Sequence, residues 1–261
     1  MGCTGHADID QFLDALCDQA RSALGSEFIG MYVGGSLALG AFDRSSDVDV
    51  VIATSSDARQ RFASLDVVHR RLAREPVWWA TELECIYMPQ VGFHRFDRAR
   101  TTHVKLDRGP GEALKVDTMD ESWIVHCYVL RTRGIIWDGP DPLALIDDVS
   151  REDLQAAMLA LLAGWASELL RQPGHLRAPG YQSYAVLSLC RILHTLEEGA
   201  IVSKASAAEW AATKMPAEWH GLIARAVADR LRDRVHASDA AVSQTLSLIK
   251  YARASWHLGT V

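Results

Sequence analysis

The sequence is sparing with the residues that mark several protein classes. Its five cysteines, Cys3, Cys17, Cys85, Cys127 and Cys190, are odd in number, irregularly spaced and without a Cys-x-x-Cys. That pattern excludes a disulfide framework and a cysteine-based zinc module, and it reads as small core residues in a reducing compartment. The ten histidines contain no His-x-x-x-His and no Cys/His cluster, so a nitrogen–sulfur metal site is not expected. Every apolar run is broken by charge well short of the ~18 residues that a membrane span needs, so no membrane partner is expected. Positive charge is scarce: Lys and Arg total 27 against 33 Asp and Glu, a net −6. With a pI near 5.9 and no basic stripe, a nucleic-acid partner is not expected. Residues 1–8 offer neither a basic nor an apolar leader segment, so a cytoplasmic protein without a signal peptide is expected.

What is present is enough apolar material, 49% of 261 residues, for two small domains. Ile9, Phe12, Leu13, Leu16, Cys17, Ala20 and Leu24 share one helical face, with Asp8 as the expected cap and Gly25-Ser26 as the stop. Phe28–Val33 reads as a strand, Gly34-Gly35-Ser36 as a turn into a short helix over 37–42, and Asp47–Ala53 as a second strand. An amphipathic helix is expected over 57–75, stopped by Pro76, and a third strand over 82–88, ended by Pro89. The stretch from 92 to 120 reads as irregular or weakly stranded. A helix over 121–133, a strand over 135–137 and a Gly139-Pro140 turn follow. From about Ser150 the texture becomes helical throughout, with segments over 151–171, 181–198, 203–214, 217–233 and 239–257. The expected fold class is α+β: an α/β domain with a small mixed sheet over 1–148, then an all-α helical-bundle domain over 149–261.

The chemistry concentrates in residues 34–50. Strand alternation places Asp47 and Asp49 on one face and Val48 and Val50 on the other, toward the core. Two acids so placed repel unless a cation lies between them, and hard oxygen ligands suit Mg²⁺. The Gly34-Gly35-Ser36 turn presents free N–H groups and a hydroxyl, which favour a phosphate. A phosphate cradle beside a metal-binding acid pair describes a nucleotide site. On the third strand Glu82 and Glu84 share a face, and either would be able to complete the metal cage or deprotonate an attacking hydroxyl. Alternation does not choose between them.

The Gly-Ser turn, the eleven-residue step from Ser36 to Asp47, the Asp-x-Asp strand and the later acid together resemble the DNA polymerase β nucleotidyltransferase superfamily. Residues 184–204 followed by Ala207-Ala208-Glu209-Trp210-Ala211 resemble the helical domain of the streptomycin/spectinomycin adenylyltransferases, and Ile135-Ile136-Trp137-Asp138-Gly139-Pro140 resembles the strand and turn before it. The resemblance implies a two-domain nucleotidyltransferase, with Mg²⁺ and the co-substrate ATP held between the domains, adenylylating a hydroxyl of an aminoglycoside or aminocyclitol. It implies that Asp47 and Asp49 bind metal and that Glu84, in Leu83-Glu84-Cys85, is the catalytic base and a metal-site acid. It assigns Gly35, Ser36, Ser46, Lys204 and Arg191 to the nucleotide. The expected partner is a small cationic polyhydroxylated acceptor, and the expected state a monomer. A protein hydroxyl as acceptor, or a nucleotide-sensing module without turnover, are the competing readings. Two departures count against streptomycin: no Trp lies between Phe93 and Glu121, and Gly180-Tyr181-Gln182-Ser183 replaces an acidic stretch.

Overall fold

The computed structural model describes residues 3–94, 102–178, 180–230, 232 and 236–257. They divide into two compact units, Met1–Val149 and Ser150–Val261.

The first unit opens with α1 (Ala7–Leu24), which buries the seven residues of its expected apolar face. Asp8 does not cap it. The cap position is His6, and Asp10 reaches back to accept from the Thr4 amide at 2.9 Å and hydroxyl at 2.6 Å. Gly25, at φ 59°, ends the helix. Next come β1 (Phe28–Val33), α2 (Gly35–Ala38) and β2 (Val48–Thr54). The short helix thus starts two residues earlier than expected and stops after one turn, and Asp47 lies just before β2 rather than in it. The expected single helix over 57–75 is a 3₁₀ turn, Ala58–Arg61, capped by Asp57, followed by α3 (Phe62–Leu72). Then follow β3 (Leu83–Pro89), β4 (Thr102–Leu106), β5 (Lys115–Thr118), α4 (Trp123–Arg133) and β6 (Ile135–Asp138). The segment expected to be irregular or weakly stranded therefore contributes two short strands; its residues 95–101 lie outside the described set.

The strands form one mixed sheet in the order β5-β4-β3-β2-β1-β6. Only β2 and β3 pair in parallel, joined through α3; the other pairs are antiparallel. Both faces are covered. Val48, Val50, Ile52, Leu83, Cys85 and Tyr87 pack with α1 and α3 on one side. Val51, Ala53, Ile86 and Met88 pack with Trp123, Cys127 and Leu130 of α4 on the other. Period-two alternation thus sends Asp49 and Glu84 to the α4 side, at the end of the sheet where β2 and β3 begin. Trp79 packs against the first layer, whereas Trp78 stacks on Phe42 and stays 45% exposed. Four cysteines are buried and Cys3 is exposed; all five are free thiols.

Among its described residues, the regular elements of the second unit are all helical: α5 (Arg151–Ala163), α6 (Trp165–Arg171), α7 (Tyr181–Glu198), α8 (Lys204–Lys214), α9 (His220–Arg230) and α10 (Asp239–Ser255). The expected continuous helix over 151–171 is interrupted at Gly164, whose φ of −92° and ψ of −87° leave the helical region. A capping box between Ser150 and Asp153 starts α5. The central helix is α7, buried on nearly every side and packed on α5, α8, α9 and α10. Its buried amide is satisfied: Gln182 donates to Thr245 at 2.9 Å. The buried Arg253 guanidinium donates to the Leu162 carbonyl at 2.9 Å and to Ser167. The helix expected over 217–233 begins as a 3₁₀ turn, Ala217–Trp219, and residues 231 and 233–235 lie outside the described set, as does Pro179.

Candidate active site

The parallel register of β2 and β3 sets Asp49 opposite Glu84. Asp47, one residue before β2, completes a cluster: Asp47, Asp49 and Glu84 each offer a carboxylate oxygen, and these oxygens lie within 4.8 Å of one another. Glu82 does not join it. Its backbone, at φ −101° and ψ 10°, has left the strand, so the alternation that would align it with Glu84 does not reach it. The Glu84 carboxyl is pushed up to about 7 by burial first, then by Asp47 and Asp107, while Lys105 and Arg108 pull the other way.

The Gly34-Gly35-Ser36 turn packs directly against this cluster. The Gly34 amide donates to the Asp49 carbonyl at 2.9 Å, which carries β-type pairing to the very start of α2. Gly35 has φ +52°, and a Cβ there would stand 2.9 Å from the Asp49 Cβ and inside its carboxylate. Only a glycine fits so close an approach. The Ser36 Oγ is shielded from solvent and has no hydrogen-bond partner among the described residues. A buried hydroxyl in that condition costs free energy unless a ligand meets it.

Ser46 is buried too, but its hydroxyl is engaged locally. It accepts from the Asp43 amide at 3.0 Å and donates to the Asp43 carboxylate at 3.1 Å, closing the loop that delivers Asp47. Arg108, in the β4–β5 loop, reaches the same region, with Nη1 3.5 Å from Asp47 Oδ2. Sequence reading missed it, since a lone arginine beside Gly109-Pro110-Gly111 carries no motif.

In the second unit, Lys204 is the first residue of α8, after the Ser203 cap, whose side chain accepts from the Ser206 amide at 3.0 Å. Its ammonium lies 4.1 Å from the centre of the Tyr184 ring. Arg191 lies mid-way along α7, and its carbonyl accepts from Thr195.

The mixed sheet, the glycine-serine turn and the three converging acids define a nucleotidyltransferase, and residues 9–103 match the nucleotidyltransferase domain profile. Residues 144–255 match the profile of the aminoglycoside adenylyltransferase C-terminal domain. The chain is thus a nucleotidyltransferase whose second unit carries an aminoglycoside adenylyltransferase C-terminal domain. Among solved structures it is similar to the spectinomycin adenyltransferase AAD(9) from Enterococcus faecialis, crystallised with ATP and spectinomycin. The TM-score is 0.75 at 17% identity, covering 93% of this chain and 98% of that one, a likeness of fold. No curated protein sequence matched. No helix among the described residues is long and apolar enough to cross a membrane.

Proposed function

We propose that the chain is a Mg²⁺- and ATP-dependent adenylyltransferase that moves AMP onto a hydroxyl of an aminocyclitol or aminoglycoside. The observation that carries this reading is the convergence of Asp47, Asp49 and Glu84 within 4.8 Å. Three hard oxygen donors fit Mg²⁺, and the partnerless Ser36 hydroxyl beside them fits a phosphate oxygen. Bound Mg²⁺ supplies charge neutralisation at the α-phosphate.

Asp47 and Asp49 hold the cation in this reading, with Glu84 completing the acid set and taking the proton of the acceptor hydroxyl. That oxygen bonds to the α-phosphorus as the bond to the bridging oxygen breaks and pyrophosphate leaves. Burial beside Asp47 and Asp107 raises the proton affinity of Glu84 in the metal-free protein, and a cation held by the acids would draw it back toward the ionised form that a base needs. Gly35 and Ser36 receive the phosphates, Ser46 shapes the adjoining loop through Asp43, and Lys204 and Arg191 carry the remaining nucleotide contacts.

An acidic protein of net −6 suits a cationic acceptor. The neighbour crystallised with spectinomycin supports that class, and the two sequence departures favour it over streptomycin. Free thiols that are mostly buried support a cytoplasmic protein, and we take it to act as a monomer.

The test is mass spectrometry after incubation with ATP, Mg²⁺ and a panel of aminocyclitols and aminoglycosides. An acceptor gaining one AMP is expected, and D47N or D49N should abolish it while leaving the melting curve cooperative. AMP appearing on protein instead, or no transfer to any acceptor, would overturn the acceptor assignment.

A further inference from the structure

We propose that Arg108 is a resident counter-cation of the acid cluster, one that disfavours free divalent metal and reserves the site for metal arriving with a triphosphate. This rests on the reading of Asp47, Asp49 and Glu84 as a metal site.

Three contacts fix the guanidinium. Its Nη1 lies 3.5 Å from Asp47 Oδ2 and 3.9 Å from Glu82 Oε2, and it donates to the Ser45 carbonyl at 3.4 Å. Beside it, the Gly109 amide donates to the Thr81 carbonyl at 2.6 Å, pinning the β4–β5 loop to the turn before β3. The lysines of the same hairpin are engaged elsewhere: Lys105 meets Asp107 and Asp117 at 3.0 Å each, and Lys115 meets Asp107. Arg108 thus brings positive charge against a carboxylate of the candidate ligand set from a residue 61 positions away.

The physical consequence depends on the charge of the incoming ligand. A bare dication approaching Asp47 must repel or displace the guanidinium, which weakens its binding. A metal–triphosphate complex has net negative charge, so the same guanidinium attracts it. The cluster is therefore selective for loading with nucleotide, a coupling between metal and nucleotide that Arg108 sets.

The experiment is titration of Mn²⁺, followed by the electron paramagnetic resonance of the free ion, on the full chain and on R108A and R108K. Alone, Mn²⁺ should bind R108A on the order of fivefold more tightly, as befits a partly exposed unit charge near the ion. R108K should stay close to wild type. With α,β-methylene ATP present, the advantage of R108A should shrink or reverse. Equal or weaker binding of Mn²⁺ alone by R108A overturns the proposal, as does a gain unchanged by nucleotide. If R108A does not fold, R108Q is read in the same way. The underlying metal site fails separately, if Mn²⁺ binds neither the wild type nor R108A, or if its binding survives D47N.

Discussion

Substituting Gly35 tests the site without touching a charged group. In G35A two costs arise at one position. The backbone sits at φ +52°, where a side chain costs about 1–2 kcal/mol. The new Cβ would also stand 2.9 Å from the Asp49 Cβ and closer still to its carboxylate, so Asp49 must swing away or α2 must shift. For a chain of this size the backbone cost alone lowers the melting temperature by roughly 2–8 °C. Displacing Asp49 removes a candidate metal ligand, and misplacement by about 1 Å is enough for a ~10²-fold loss of transfer. The neighbouring G34A is the control. Its Cβ would meet Leu130 Cδ2 at 3.6 Å and Asp49 Cβ at 4.0 Å, ordinary packing distances, and its φ is −113°. It should melt within about 1 kcal/mol of wild type and keep most activity. The assay is thermal melting with and without Mn²⁺, alongside AMP transfer. In wild type and G34A, Mn²⁺ together with α,β-methylene ATP should raise the melting temperature beyond the nucleotide alone; in G35A that extra rise should vanish. A G35A protein that still gains stability from Mn²⁺ and turns over within a few fold of wild type would refute the reasoning, as would G34A failing equally.

Glu84 gives a pH-dependent test in metal-free protein. Its carboxyl titrates near 4.5 when unfolded and about 7 when folded, so stability present below 4.5 is lost as the pH rises through 7. E84Q removes that loss, and it should melt above wild type at pH 8 but not at pH 4, by up to ~3 kcal/mol. Its turnover should fall by roughly 10²–10⁴-fold if Glu84 is the base, while E82Q stays close to wild type; the reverse pattern would move the base to Glu82. K204A should raise the apparent ATP constant more than the acceptor constant, measured by calorimetry and steady-state kinetics. A lysine that merely opposes the α8 dipole would instead leave ATP binding untouched, and its removal would raise the melting temperature.

Local pattern was sufficient for the helices and strands whose apolar spacing admits one period. The buried face of α1, the bounds of β1 and the span of α7 follow from the sequence, because burial of a repeating face depends on neighbours within a turn or two. The acids Asp47, Asp49 and Glu84 were legible as candidates, but Glu84 over Glu82 rested on family resemblance until the register of β2 against β3 paired Asp49 with Glu84. Register is a relation between segments about 35 residues apart, and no local rule specifies it. Strands β4 and β5 read only as irregular or weakly stranded because they are short, and pairing of β4 with β3 and of the edge strand β5 with β4 supplies what their own sequence lacks. Likewise the break at Gly164 interrupts a helical pattern that composition alone would continue. The commitment of the Ser46 hydroxyl to Asp43 and the arrival of Arg108 at Asp47 were decided only in three dimensions. Side chains that act through charge or hydrogen bonds leave no periodicity in a sequence. Their partners are set by where the chain returns, and tertiary packing determines that return.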